Sequence, residues 1–294
     1  MNKKIENTMI QSDDGTWIAV YSIGDPKKPA IVLSNGLGGN IIAWRHLINY
    51  FKNRFRILSW DYRGLYQSGK PTDQEAFTIQ DHCNDLEAVL KTEKVKKALF
   101  IGWSMGVQVN FEYYRRHPEQ FKGLIQINGA FAKPMETLMG THMLAGLTPQ
   151  SVFILRHIMP RLQFLVPSLT KKGRLVHAMK WTGFLAPTLD EQIFQDLSAD
   201  FLMLDFDIYG KIFKYMAEHD ASDVLETIDC PVLLLSGDKD LFTPTSLARK
   251  MAVMIPNAEL TVIKGGSHYA PVEFPEMVNL RIEKFIAERL SGQN

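Results

Sequence analysis

The stretch Lys97-Ala-Leu-Phe-Ile-Gly-Trp-Ser-Met-Gly-Val-Gln-Val-Asn-Phe111 constrains this chain more than any other. Ala98 to Ile101 is a short apolar run with the character of a buried strand, and Val107 to Arg116 reads as a helix. Between them, Gly102-Trp-Ser-Met-Gly106 compresses the change from strand to helix into one sharp turn with Ser104 at its apex. A turn this tight forces the serine into a strained conformation that exposes its hydroxyl. Neighbouring chain then passes too close for a side chain two residues to either side. Chance gives such a five-residue pattern in under about one chain in ten of this length, and its place between a strand and a helix makes coincidence rarer still.

The flanking sequence repeats the same alternation. Residues 7–12 and 16–23 alternate around Asp13-Asp14-Gly15, a hairpin signal. Ala30-Ile-Val-Leu-Ser34 reads as a central strand that runs into Asn35-Gly-Leu-Gly-Gly39 and a helix around Ile42–Phe51. Phe55 to Trp60 is a further strand ending in Asp61-Tyr-Arg-Gly64. Thr78 is an N-cap with Asp81 three residues on, opening a helix to Lys91 with an apolar stripe of Cys83, Leu86, Val89 and Leu90. Gly123–Asn128, Pro231–Ser236 and Ala258–Ile263 are further strands, with helices near Pro244–Met254 and over Pro275–Leu290. Strands alternating with helices imply a parallel sheet with crossover helices.

The rhythm stops at Phe131 and resumes after Ser222. The expectation is one α/β domain, residues 1–130 and 223–294, with a helical insertion over 131–222. The insertion is punctuated by Pro134, Pro149, Pro160, Pro167 and Pro187 and holds seven of the 13 methionines, Met135 and Met139 among them. Flexible thioethers suit an adaptable apolar pocket, and equally a small helical core. Its charge is segregated. Thr137 to Leu189 has no acid but carries Arg156, Arg161, Lys171, Lys172, Arg174 and Lys180, whereas Asp190 to Asp220 has eight acids. Ser151 to Val166 is apolar almost all round, which predicts a helix buried against the site; its charges and Pro160 argue against a membrane span. The basic, apolar half suggests contact with a membrane surface or an anionic acyl carrier.

A serine hydroxyl needs a base, usually histidine, itself oriented by a carboxylate. His268, in Gly265-Gly-Ser-His-Tyr269, follows the last strand. Asp238 and Asp240, in Gly237-Asp-Lys-Asp240, follow the strand before it. Strand ends of a parallel sheet share one edge, so these groups converge with Ser104 there. His82, His117, His157, His177 and His219 fall on predicted helices and read as packed or solvated. The glycines of Asn35–Gly39 lack the spacing of a dinucleotide or phosphate-binding loop. They can instead supply the Leu37 N–H which, with that of Met105, would hold a developing oxyanion.

These segments together resemble the α/β-hydrolase fold superfamily, in its serine-hydrolase form with a helical cap after the sixth strand. The resemblance rests on Asn35–Gly39, Asp61-x-Arg63-Gly64, Gly102–Gly106, Gly237-x-x-Asp240 and Gly266-x-His268, and covers residues 7–130 and 223–294. It implies a mostly parallel eight-stranded sheet flanked by helices. It also implies a Ser104–His268–Asp240 triad, Asp240 being preferred because the family's acid stands three residues after the glycine. Some relatives carry the acid after the sixth strand, but here that end reads Asn128-Gly-Ala130. Two departures stand out. Asn35 replaces the usual histidine, and Leu65-Tyr66-Gln67-Ser68 replaces Gly-x-Ser after the arginine and glycine. Serine at position 104 differs from the aspartate of haloalkane dehalogenases and epoxide hydrolases. Asn35, Trp103, Tyr66, Met135 and Met139 are candidates to meet the substrate.

The expected activity is hydrolysis of a carboxylic ester with an apolar acyl chain, in the esterase and lipase class. A carbon–carbon bond hydrolase, lactonase, thioesterase or acyltransferase on the same triad stays open, as does a non-catalytic ligand-binding protein that kept the fold. No metal or organic cofactor is implied. Net charge +1 gives no field for nucleic acid, and two distant cysteines with no apolar leader fit the cytoplasm.

Overall fold

The structure, a computed structural model, describes residues 6–133, 148–162 and 174–290. Eight strands form one sheet: β1 (Thr8–Gln11), β2 (Trp17–Ile23), β3 (Ala30–Ser34), β4 (Arg56–Trp60), β5 (Ala98–Trp103), β6 (Phe121–Ile127), β7 (Val232–Gly237) and β8 (Ala258–Ile263). Their order is β1-β2-β4-β3-β5-β6-β7-β8. β1–β2 and β2–β4 are antiparallel, and every other pair is parallel. The parallel centre follows from the sequence: β3, β5 and β7 are buried along their whole length, as strands covered on both faces must be.

Helices α1 (Arg45–Phe51), α2 (Ile79–Thr92) and α3 (Met105–Arg116) supply crossovers in the first half and α8 (Thr245–Met254) the one between β7 and β8, while α9 (Pro275–Phe285) follows the last strand. The Thr78–Asp81 capping box forms in full at the start of α2, each side chain accepting from the other's backbone N–H. Two apolar clusters fill the core. One joins Val32, Leu58, Phe100, Val107 and Leu234; the other joins Leu33, Trp44, Ile101, Leu233 and Phe285. Successive residues alternate between clusters, as the period of two in a strand requires.

Between β6 and β7 the described residues are helical. They form α4 (Thr148–Phe153, continued by a π-helical turn Ile154–Ile158 and by Met159–Leu162), α5 (Arg174–Trp181), α6 (Glu191–Phe201) and α7 (Phe206–Glu218). The two ends of this stretch meet at an antiparallel bridge between Ala132 and Asp220. The expectation that Ser151–Val166, apolar almost all round, lies buried against the site needs correction. Within the described part, Phe153, Ile154 and Ile158 are 57%, 45% and 38% exposed. α4 meets α7 along one side only, where Arg156 lies over Gly210 and pairs with Asp207 at 2.6 Å.

The acidic half docks on the main body. Asp196, Asp190 and Asp205 pair with Arg45, His46 and Lys70 at 2.8, 2.9 and 2.8 Å, and Asn40 donates to Asp200 at 2.8 Å. Among the described residues no helix is long and apolar enough to cross a membrane.

Candidate active site

Ser104 sits between β5 and α3 with φ 56° and ψ −117°, a conformation sparsely populated by any residue with a Cβ. The glycines around it are required by close approach. A Cβ on Gly102 would fall 2.5 Å from Gln126 Oε1, and one on Gly106 would fall 2.1 Å from Ser34 O. The turn therefore brings α3 hard against β3 and leaves the serine side chain outermost.

Asp240 follows β7 and His268 follows β8, so both loops open on the edge where β5 ends. His268 Nε2 lies 2.9 Å from Ser104 Oγ, and His268 Nδ1 lies 2.8 Å from Asp240 Oδ2. A carboxylate only accepts, so Nδ1 carries the ring proton, and Nε2 is left to accept from the serine hydroxyl. The side chain of Asp240 is fully buried, and that of His268 is 12% exposed. Oδ1 of Asp240 accepts from the N–H groups of Phe242 and Thr243 at 2.8 and 2.9 Å, and Oδ2 accepts from Thr243 Oγ1 at 2.7 Å. Asp238, the competing acid, is exposed and accepts from Gly265 N–H at 2.7 Å.

The ring of His268 is enclosed by aromatic neighbours. Phe242, Trp103 and Tyr269 have centroids 5.1, 5.8 and 6.1 Å from it, and Phe184, from the helical insertion, packs on Phe242 at 5.7 Å. The loop beneath His268 is pinned by Glu273, which accepts from Ser267 N–H at 2.7 Å, Ser267 Oγ at 2.6 Å and Ala186 N–H of the insertion at 2.8 Å. Sequence reading passed over Thr243 and Glu273. Each looks like an ordinary turn or helix residue until the partner loop is in place.

The loop after β3 lies beside the serine, where a Cβ on Gly36 would come within 3.1 Å of Ser104 Cβ. Gly39 N–H closes a turn onto Gly36 O at 2.9 Å. Leu37 is half-buried in this loop, and Met105 opens the first turn of α3. Neither N–H donates to another described residue, and both belong to the segments that flank the serine.

Three residues expected to meet the substrate are held by hydrogen bonds around the site. Asn35 is 1% exposed; its Nδ2 donates to Trp60 O at 2.8 Å and its Oδ1 accepts from Trp44 Nε1 at 2.7 Å, so its amide anchors the loop from within. Trp103 is 5% exposed and donates from Nε1 to His268 O at 2.8 Å, bracing the histidine loop. Tyr66, at φ 51°, donates its hydroxyl to Gly38 O and ties the Asp61–Gly64 segment to the loop after β3. Met135 and Met139 lie outside the described residues. Of the remaining histidines, His219 is buried against Glu112 at 3.1 Å, and His82 is wholly buried, its pKa lowered by that burial to about 3. Among the described residues no group of His, Cys, Asp or Glu is placed to hold a metal ion.

A mostly parallel eight-stranded sheet, with serine, aspartate and histidine on the loops after β5, β7 and β8, defines a class. Residues 29–275 match the model of the alpha/beta hydrolase fold, and the chain belongs to that family. The 3-oxoadipate enol-lactonase 2 of Acinetobacter baylyi is 26% identical over 264 residues, 89% of this chain and 90% of that protein. Epoxide hydrolase 4 of Mus musculus is 24% identical over 287 residues, 94% of this chain and 78% of that protein. The solved enol-lactonase from Burkholderia xenovorans LB400 superposes with a TM-score of 0.78 at 22% identity, over 96% of this chain and 100% of that one.

Proposed function

We propose that this alpha/beta hydrolase is a serine hydrolase that cleaves a carboxylic ester with an apolar acyl chain by way of an acyl-enzyme. The observation that carries the reading is the unbroken run from Ser104 Oγ to His268 Nε2 at 2.9 Å and from His268 Nδ1 to Asp240 Oδ2 at 2.8 Å. Ser104 attacks the acyl carbonyl as its proton passes to Nε2. The imidazolium, stabilised by Asp240, returns that proton to the departing alcohol, and a water activated by Nε2 then releases the acid. The N–H groups of Leu37 and Met105 hold the oxyanion in both tetrahedral stages. Four hydrogen bonds converge on the buried carboxylate of Asp240 and fix its direction toward Nδ1.

The apolar preference is supported by Phe242, Tyr269 and Trp103 around the base and by Phe184 reaching in from the insertion. In this reading residues 131–222 are a cap that selects the acyl chain, and the buried free thiols of Cys83 and Cys230 suit a cytoplasmic site of action. Lactone opening uses the same steps on a cyclic ester, so it is the second reading, favoured by the enol-lactonase relative.

A chain-length series of p-nitrophenyl esters, with fluorophosphonate labelling, tests the proposal. Wild type is expected to be labelled at Ser104 and to prefer longer acyl chains. Ser104→Ala should lose at least about 10³-fold in kcat. Turnover that survives Ser104→Ala would remove Ser104 as nucleophile, and an unlabelled wild type would remove the enzyme reading altogether.

A further inference from the structure

Asn128 ends β6 with φ 44° and is 2% exposed. Its strand lies between the one that delivers Ser104 and the one that delivers Asp240. Its own N–H continues the sheet to Leu235 O at 2.9 Å, and the carbonyl just before it, Ile127 O, accepts from Ser104 N–H at 3.1 Å. The side-chain amide then makes three bonds across the molecule. Nδ2 donates to Ser267 O at 2.8 Å and to His268 O at 3.0 Å, while Oδ1 accepts from Gly237 N–H at 2.8 Å. One amide thus joins the loop that carries the base to the strand end that carries the acid.

The sheet order explains why such a link is needed. Three inter-strand spacings, about 14 Å, separate β8 from β5. The loop after β8 must cross the ends of β7 and β6 before His268 can reach Ser104. The sheet hydrogen bonds end short of that crossing. At its far end the loop is held by its own carbonyl, which accepts from both Asn128 Nδ2 and Trp103 Nε1. An aspartate at 128 could not serve, because a carboxylate would face two carbonyl oxygens with no proton to give. The amide at the end of β6 and the acid after β7 are therefore two halves of one arrangement.

We propose that Asn128 is a positioning residue for the His268–Asp240 half of the site, holding Nε2 at bonding distance from Ser104 through the backbone of the base loop. This rests on the serine-hydrolase reading. Two variants test it. Asn128→Gly removes the amide and tolerates the positive φ, and Asn128→Asp keeps the shape and the Gly237 contact but removes both donors. With folded protein verified by circular dichroism, both should lose on the order of 10²-fold in kcat, as a misplacement of about 1 Å does, with KM unchanged. The rate of fluorophosphonate labelling at Ser104 should fall in parallel. A merely structural role would lower Tm and leave kcat of the folded protein intact. Wild-type kcat in folded Asn128→Gly overturns the proposal. So does failure of both variants to fold, which would make Asn128 a folding determinant instead. If wild type itself is not labelled, the hydrolase reading falls with it; if wild type is labelled and the variants match it, this inference alone falls.

Discussion

Thr243 gives its hydroxyl to the same carboxylate oxygen of Asp240 that faces His268, at 2.7 Å. Hydrogen bonds to an ion are worth about 1.5–3 kcal/mol, so this one competes with the imidazole for the charge on Oδ2. Thr243→Val removes the competitor while keeping the shape and both backbone donors to Oδ1. Charge then concentrates toward Nδ1 and stabilises the imidazolium formed in the transition state, so kcat of Thr243→Val should rise with KM unchanged. Thr243→Ser should restore the wild-type kcat. A kcat that stays in place, or falls, would show that Thr243 does not tune the base. Ser104, Asp240 and His268 stood out in the sequence because each lies two or three residues from a glycine after a strand end, a local pattern. Thr243 and Asn128 did not. Their side chains bond to groups on other loops, and nothing in the adjacent sequence encodes those partners.

At the scale of elements, the loop from Asp61 to Gly64 joins several parts of the chain. Arg63, 1% exposed, makes two bonds to buried Asp85 of α2, at 2.7 and 2.9 Å, and reaches Asp14 of the first hairpin at 2.8 Å. Asp61 is also 1% exposed, accepting from Tyr21 hydroxyl at 2.9 Å and Gln67 N–H at 3.2 Å through Oδ2, while Oδ1 has no hydrogen-bond partner among the described residues. Burial, first of all, raises its pKa to about 6; the two bonds oppose the shift and nearby Asp200 adds to it. The sign follows. The folded value lies above the unfolded one, near 3.9, so the neutral carboxyl's contribution to stability is complete below about pH 4 and is lost as pH rises through 6. Asp61→Asn has no charge to bury. Urea denaturation should therefore find wild type losing on the order of 3 kcal/mol relative to the variant between pH 4 and 7. Parallel stability curves would rule out a buried neutral acid here. The motif was visible in sequence, and so were most strands and helices, since their periods are local. The face that α4 buries was not. A segment apolar almost all round carries no amphipathic signal, and among the described residues it is α7 that covers one side.

For the whole molecule the question is whether the helical insertion folds as its own unit. Its charge pairs with the main body are part-exposed, and such pairs contribute little, about 0–1 kcal/mol each. The apolar contacts decide otherwise. Leu204, Ile208 and Ile212 of the α6–α7 region continue the cluster that holds Val32 and Leu234. Leu185, Leu189, Ile193, Phe194 and Leu197 continue the opposite cluster with Trp44 and Leu233. Helices α6 and α7 thus bury their apolar faces against the body of the protein, and the described residues of the insertion form no buried cluster apart from the two of the main body. Equilibrium unfolding should accordingly be one transition, with far-ultraviolet and near-ultraviolet circular dichroism coincident. Ile212 is fully buried, so Ile212→Ala should cost about 2–5 kcal/mol and shift that single transition as a whole. An insertion that melts independently would instead give a new early transition in Ile212→Ala, with the midpoint of the remaining protein unmoved. Coincident unfolding would mean that the insertion cannot be loosened by mutation without also lowering the stability of the sheet that holds Ser104.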